Sequence, residues 1–189
     1  MRIITGTARG AKLITLEGEA TRPTSERAKE AIFSMIQFDI EGRKVLDLFA
    51  GSGQLALEAL SRGAKEAVLC DSSKQAADII KKNAIKTRLS DKVNLHNCDS
   101  LQLLNKLGTE KFDLIFLDPP YALKIIPSVL KSLIDNKRLK STSILVCESS
   151  DADDVFCGDI EIEKYFIIKK TAKYGAAFVT IIQPKEEYI

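Results

Sequence analysis

The feature that most constrains the fold is a regular alternation of short apolar segments and longer amphipathic segments, which begins at Lys44. The short segments are rich in Val, Ile, Leu and Phe and predict strands, whereas residues 54–62, 74–88 and 101–107 predict helices. Strands this apolar are expected where helices cover both faces of a sheet. The alternation therefore predicts an α/β fold with a mostly parallel, doubly wound sheet. Its predicted strands are residues 45–49, 67–70, 93–96, 112–117 and 143–147.

The two ends of the chain depart from this alternation. Residues 2–5 and 12–16 are β-prone and flank a turn with a glycine at each end, which predicts an N-terminal β-hairpin. A helix over residues 26–37 follows, with Thr24 or Ser25 as its cap. Residues 160–169 and 177–182 are β-rich with no long helix between them, which predicts an antiparallel hairpin at the sheet edge. We therefore divide the chain into an N-terminal extension, residues 1–42, and a sheet domain, residues 43–189.

Composition and charge narrow the possible functions. Hydrophobic residues make up 45% of the 189 residues, as in an ordinary soluble protein. No apolar run approaches the roughly 20 residues that cross a bilayer, and the N-terminus lacks the core of a signal peptide, so we expect a cytoplasmic protein without a membrane partner. The four cysteines form no C-x-x-C pair and His96 is the single histidine, so we expect no metal site. A net charge of +2 does not by itself indicate a nucleic-acid partner.

The first candidate site is the sequence Asp47-Leu-Phe-Ala-Gly-Ser-Gly, at the end of the first strand of the predicted sheet. Gly51 and Gly53 allow a sharp turn and close approach of a ligand, and Asp71 ends the next strand, where its carboxylate can accept both hydroxyls of a ribose. The pattern G-x-G-x-x-G/A leaves a nicotinamide-binding dehydrogenase as an alternative. Asp47 favours the methyl donor S-adenosylmethionine instead, because an acidic strand end can hold its amino acid group and sulfonium cation.

The second candidate site is the sequence Asp118-Pro-Pro-Tyr, which closes the predicted strand 112–117. An exocyclic amine of a base is a poor nucleophile because its lone pair is delocalised into the ring. If the Asp118 carboxylate and the Pro119 carbonyl accept its N–H bonds, the nitrogen pyramidalises and can attack a methyl group. Pro119 and Pro120 hold the loop rigid, and Tyr121 can stack on a base swung out of its helix.

Two further acids follow predicted strands. Asp99 follows the third strand, where it could accept a hydrogen bond from an adenine amino group or cap the helix 101–107, and the two roles are compatible. Glu148 ends the fifth strand, and its role is left open. Methylation at cytosine C5 typically uses a cysteine that follows a proline, and no cysteine here does.

Several sequences resemble the RsmD family of bacterial 16S rRNA guanine-N2 methyltransferases, which are class I enzymes. The two motifs above match amino-methyltransferases in general. Other segments along the chain, and Lys173-Tyr-Gly near its end, resemble the RsmD family more specifically than these two motifs do. These segments are Met1-Arg-Ile-Ile-Thr-Gly, Arg9-Gly, Thr21-Arg-Pro-Thr-Ser-Glu-Arg, Glu30-Ala-Ile-Phe and Leu57-Glu-Ala-Leu-Ser-Arg-Gly.

The resemblance implies a seven-stranded, Rossmann-like sheet in an S-adenosylmethionine-dependent methyltransferase domain, with an RNA-contacting extension at residues 1–42. It implies 16S rRNA in an assembling small ribosomal subunit as partner. Gln54 and Ala56 depart from the family, in which smaller residues or glycine are frequent. An adenine-N6 DNA or RNA methyltransferase, and an RNA-binding assembly factor without activity, remain alternatives. The implied donor-binding residues are Asp47, Phe49, Gly51, Gly53, Asp71, Asp99 and Ser100; the catalytic loop is Asp118, Pro119, Pro120 and Tyr121; the RNA contacts are Arg2, Arg9, Lys12, Arg22, Arg27 and Lys173.

Overall fold

The computed structural model describes residues 1–16, 26–151 and 155–188. Within these ranges seven strands form one sheet in the order β3-β2-β1-β4-β5-β7-β6. The first five strands are parallel to one another, whereas β7 is antiparallel to both β5 and β6. The strands are β1 (Lys44–Asp47), β2 (Glu66–Cys70), β3 (Val93–His96), β4 (Phe112–Leu117), β5 (Leu139–Ser149), β6 (Phe166–Tyr174) and β7 (Ala177–Pro184).

Helices cover both faces of this sheet and complete two hydrophobic layers. Adjacent strand residues point to opposite faces, so Val45 belongs to one layer and Leu46 to the other. The first three helices contribute to the layer of Val45 and the last three to the layer of Leu46. The helices are α1 (Glu26–Met35), α2 (Gln54–Ser61), α3 (Lys74–Thr87), α4 (Ser100–Lys106), α5 (Ile126–Asp135) and α6 (Ile160–Glu163). None of the helices in the described part of the chain is long and apolar enough to span a membrane.

The structure confirms the predicted fold class, a mostly parallel doubly wound α/β sheet with an antiparallel hairpin at its edge. The strands predicted at residues 93–96 and 112–117 have the observed bounds. The N-terminal hairpin is reduced to one antiparallel bridge, between Arg2 and Lys12. Thr24 and Ser25, the predicted helix caps, lie outside the described residues.

Several predicted element bounds were wrong, and three of them concern the sheet and its edge. The first strand ends at Asp47 rather than at residue 49, because the chain turns there toward the glycine loop. The fifth strand begins at Leu139 rather than at residue 143, since Leu139 pairs with Phe112 of β4. Residues 160–163 form the helix α6 instead of a strand, and the Asp159 side chain caps it by accepting a hydrogen bond from the backbone N–H of Ile162 at 3.1 Å.

A buried charged cluster fastens the N-terminal segment to α2. Glu58 is fully buried, and its carboxylate accepts hydrogen bonds from the backbone N–H groups of Ile4 at 2.7 Å and Thr5 at 3.0 Å. The same carboxylate contacts the ammonium of buried Lys29 at 3.3 Å and the Arg62 guanidinium at 2.9 Å. Burial lowers the pKa of Lys29, and the neighbouring Glu58 opposes that shift. The division at residue 42 stays a prediction, since this extension shares a core with the sheet.

Replacing Glu58 with Ala is expected to lower the free energy of unfolding by about 3–5 kcal/mol, because Lys29 would stay buried without its counter-charge. Urea denaturation measures this change. Glu161→Ala is the matched control, since the Glu161 side chain is exposed, and its effect is expected within about 0.5 kcal/mol. A loss below about 1 kcal/mol for Glu58→Ala would contradict a stabilising role for the cluster.

Candidate active site

Acidic side chains gather at the carboxyl edge of the sheet. Because the first five strands are parallel, the residues at their ends meet at one edge. Strand β1 lies between β2 and β4, where the strand order reverses, and open α/β sheets bind ligands at this point. The acids there are Asp47 at the end of β1, Asp71 after β2, Asp99 after β3, Asp118 after β4 and Glu148 near the end of β5.

The glycine loop between β1 and α2 has the conformation that its sequence predicts. Gly51 and Gly53 have φ angles of 53° and 78°, in the left-handed region that residues with a side chain seldom adopt. A Cβ added at Gly51 would meet no atom within 4 Å, so the loop backbone borders open space on that side. Gly53 then serves as the N-cap residue of α2. A ligand can therefore approach the loop backbone closely at Gly51.

Asp71 ties this loop to the end of β2. One carboxylate oxygen accepts a hydrogen bond from the Gly51 N–H at 2.8 Å, and the other accepts from the Ser73 N–H at 2.9 Å. The Asn97 amide donates to the backbone carbonyl of Asp71 at 2.8 Å. A carboxylate can accept about four hydrogen bonds, so this arrangement is compatible with the predicted ribose contact, which stays a prediction.

Asp47 is the buried acid of the site. Its side chain is 1% exposed, and its Oδ1 has no hydrogen-bond partner among the described residues. Burial raises the pKa of Asp47 to about 7, although hydrogen bonds from the backbone N–H groups of Phe49 and Ala56 oppose the shift. A buried acceptor atom without a donor is costly to the fold and marks a place where a ligand can supply one.

Further buried polar atoms without a described partner lie near the same edge. Gln54 Oε1 is at the start of α2, directly after Gly53. Ser100 Oγ is at the start of α4, directly after Asp99. His96 Nε2 is at the end of β3. Asp99 caps α4 by accepting hydrogen bonds from two backbone N–H groups at 2.9 and 3.2 Å, which confirms its capping role and leaves the adenine contact a prediction.

The loop that follows β4 carries the second motif. Asp118 is half-buried, Pro119 is buried and Pro120 is exposed, after which Tyr121 begins one turn of 3-10 helix. The Tyr121 hydroxyl donates a hydrogen bond to Glu148 Oε1 at 2.8 Å. No role was assigned to Glu148 from the sequence. The available signal was its position, because each of the four preceding parallel strands also has an acidic residue at or just after its end.

The predicted RNA-contacting residues that the structure describes lie on the surface but not in one element. Arg2, Arg9, Lys12 and Arg27 are exposed in or beside the N-terminal segment, and Arg2 pairs with Glu26 at 3.8 Å. Lys173 lies on β6 with its ammonium 5.1 Å from the Phe178 ring, and Arg22 lies outside the described residues. Among the described residues, no group of three or more His, Cys, Asp or Glu is placed to hold a metal ion.

Comparison with known proteins identifies the family. Residues 1–183 match the family described as "Conserved hypothetical protein 95". The chain is 36% identical over 151 residues to the Ribosomal RNA small subunit methyltransferase D of Haemophilus influenzae, covering 79% of this chain and 78% of that protein. The chain belongs to the RsmD family of methyltransferases.

Two other RsmD comparisons agree with this assignment. The Ribosomal RNA small subunit methyltransferase D of Escherichia coli K12 is 33% identical over 149 residues, covering 79% of this chain and 74% of that protein. The solved structure described as "Putative methyltransferase yhhF from Escherichia coli" superimposes with a TM-score of 0.86 at 27% identity and covers 98% of both chains. The similarity of fold therefore includes the N-terminal segment that the structure describes.

The raised pKa of Asp47 predicts a pH-dependent cost to the fold. Because folding raises this pKa from 3.8 to about 7, the folded state loses stability as pH rises from about 4 to about 7 and loses no more above that. Relative to the unaltered chain, Asp47→Asn is expected to gain stability over that interval, by a few kcal/mol in total. Urea unfolding at half-unit pH steps measures the difference, and a difference that does not change with pH would contradict the burial-driven shift.

Proposed function

We propose that this RsmD-family protein transfers a methyl group from S-adenosylmethionine to the exocyclic N2 amine of a guanine in 16S rRNA, within the assembling small ribosomal subunit in the cytoplasm. The observation that carries the proposal is the loop Asp118–Tyr121, which leaves β4 beside the buried Asp47 at the end of β1, whose Oδ1 has no described hydrogen-bond partner. Register places Asp47 opposite Phe116, two residues before Asp118, so donor and acceptor sites adjoin. The names of the RsmD relatives in Haemophilus influenzae and Escherichia coli support a ribosomal RNA substrate.

The residues at the edge fit the methyl donor. Bound S-adenosylmethionine supplies a methyl group made electrophilic by its positively charged sulfur. Asp47 Oδ1 is the acceptor that the ammonium group of S-adenosylmethionine requires. The absence of a side chain at Gly51 leaves room for the donor beside the loop. Asp71 and Asp99 stand at the next two strand ends, where they serve the ribose and the adenine. Phe49 and Ser100 complete this donor site.

The loop after β4 activates the acceptor amine. The Asp118 carboxylate and the Pro119 carbonyl accept hydrogen bonds from the amine, which localises the nitrogen lone pair and directs it toward the methyl group. Buried Pro119 is followed by Pro120, which restricts the ψ angle of Pro119 and so limits the direction of its carbonyl. Tyr121 stacks on the base and holds its plane.

An adenine-N6 methyltransferase is the nearest alternative, because the same loop can activate either amine. A dehydrogenase is less compatible with the site, since a buried carboxylate at Asp47 disfavours the pyrophosphate of a dinucleotide. An RNA-binding assembly factor without activity has no use for the Asp118-Pro-Pro-Tyr sequence.

The proposed function is tested by transfer of labelled methyl from S-adenosylmethionine to small ribosomal subunits that lack the modification. Naked 16S rRNA and duplex DNA serve as parallel substrates, and mass spectrometry identifies the modified nucleoside. We expect N2-methylguanosine from the subunits. N6-methyladenine, or label in DNA alone, would contradict the guanine assignment, and transfer to none of the substrates would contradict the activity.

Replacing Asp118 with Ala is expected to lower kcat by about 100-fold or more while leaving the affinity for S-adenosylmethionine unchanged, because the carboxylate acts on the acceptor amine. Single-turnover methyl transfer and calorimetric donor binding measure the two effects. Asp91→Ala, at an exposed aspartate before β3, is the matched control and should retain full activity. Unchanged kcat in Asp118→Ala would remove that carboxylate from the mechanism.

Replacing Arg27 or Arg22 with Ala is expected to weaken RNA binding. The negative slope of log affinity against log salt concentration is expected to become shallower by about one for each phosphate that the variant no longer neutralises. Filter binding of 16S rRNA at four salt concentrations measures the slope. Lys131→Ala, at an exposed lysine of α5 that pairs with Asp135, controls for the removal of one positive charge. An unchanged slope would return Arg27 to a purely structural role.

A further inference from the structure

Glu148 lies beside the Asp118 loop because of strand register. Leu117, the last residue of β4, pairs with Cys147 of β5, so the next residues along the two strands, Asp118 and Glu148, stand side by side. On its other side Glu148 pairs with Val179 of β7. Pairing with β7 therefore fixes its backbone on one side, and on the other side the pairing with β4 ends one residue earlier, at Cys147.

The hydrogen bond between Tyr121 and Glu148 joins the loop to this fixed position. It is 2.8 Å long and spans 27 residues of sequence, whereas the loop's backbone hydrogen bonds, from Leu123 to Pro120 and from Lys124 to Tyr121, are local. Glu148 is 5% exposed. Burying a carboxyl group is costly, and a neutral residue could fill a strand end at lower cost, so the position calls for a role beyond packing.

The surroundings of the pair show how Glu148 can act. A cleft beside the pair is lined by Pro119, Tyr121, Lys124, Glu148 and Ser149, among others. Glu148 can therefore act on a base through Tyr121, whose hydroxyl it holds.

We propose that Glu148 is a positioning residue, whose carboxylate holds the Tyr121 hydroxyl so that the Tyr121 ring is fixed beside Asp118 as the surface on which the target base stacks. This inference rests on the proposed function and adds a residue to its acceptor site. Because Tyr121 is presented by a loop, its ring would otherwise sample several rotamers, and a misplaced base would react slowly.

The test is a double-mutant cycle on methyl transfer to small ribosomal subunits, with Glu148→Ala, Tyr121→Phe and the double variant. Each single change removes the same hydrogen bond, so we expect each to lower kcat by about 10- to 100-fold, and Tyr121→Phe to cause no further loss when Glu148 is already Ala. Donor affinity is expected to stay within about twofold, since the bond lies on the acceptor side. Glu148→Gln, whose amide oxygen can still accept from the hydroxyl, is expected to restore most of the activity.

Controls separate positioning from a loss of structure and from a failure of the proposed function. Tyr188→Phe removes a phenolic hydroxyl near the C-terminus and should leave kcat unchanged. Tyr121→Phe tests the same bond without altering the buried strand, so it decides the matter if Glu148→Ala unfolds. Full activity in Tyr121→Phe, or additive losses in the double variant, would overturn the positioning role alone. If the unaltered chain transfers no methyl group, the proposed function fails and the inference fails with it.

Discussion

The buried carboxyl of Asp47 is the constraint on which the rest of the site depends. A carboxyl group with 1% exposure and one oxygen without a described partner is unfavourable in the fold by itself. It is placed there because β1 ends in the middle of a parallel sheet and the chain turns at once into α2. The turn requires the left-handed conformation at Gly51, and Asp71 holds it by accepting the Gly51 N–H. The stability that the fold gives up at Asp47 thus provides an acceptor for a cationic ligand.

Helix α2 connects this site to the N-terminal segment. The glycine loop leads directly into the first turn of α2. One turn later, the Glu58 carboxylate accepts hydrogen bonds from the backbone N–H groups of Ile4 and Thr5. Ser61, its last residue, accepts the Thr7 N–H at its carbonyl at 2.8 Å. One buried helix of eight residues therefore joins the donor loop to the basic segment that we propose to contact RNA.

Much of the fold could be predicted from sequence because burial on both faces makes parallel strands uniformly apolar. This held for β4. Residues 140–142, near the start of β5, are polar and not buried, so their pattern did not indicate a strand, although the preceding Leu139 pairs with Phe112 of β4. Residues 160–163 have β-prone side chains, but the Asp159 cap and packing against α5 make them helical. At the site, acids at strand ends were visible in the sequence. The burial of Asp47 and the contact between Tyr121 and Glu148 were not, because both depend on strand register.

The central claim, that the sheet edge around Asp47 is a methyl-donor site, is tested most directly by the pH dependence of S-adenosylmethionine binding. Calorimetry between pH 5.5 and 7 should show affinity rising by roughly tenfold or more in total, with the slope flattening toward pH 7, because the ammonium group of the donor selects the ionised form of a carboxyl whose pKa is about 7. NAD, measured in parallel, should bind weakly at every pH. Donor affinity that is constant over this interval, or NAD binding as tight as that of S-adenosylmethionine, would contradict the account.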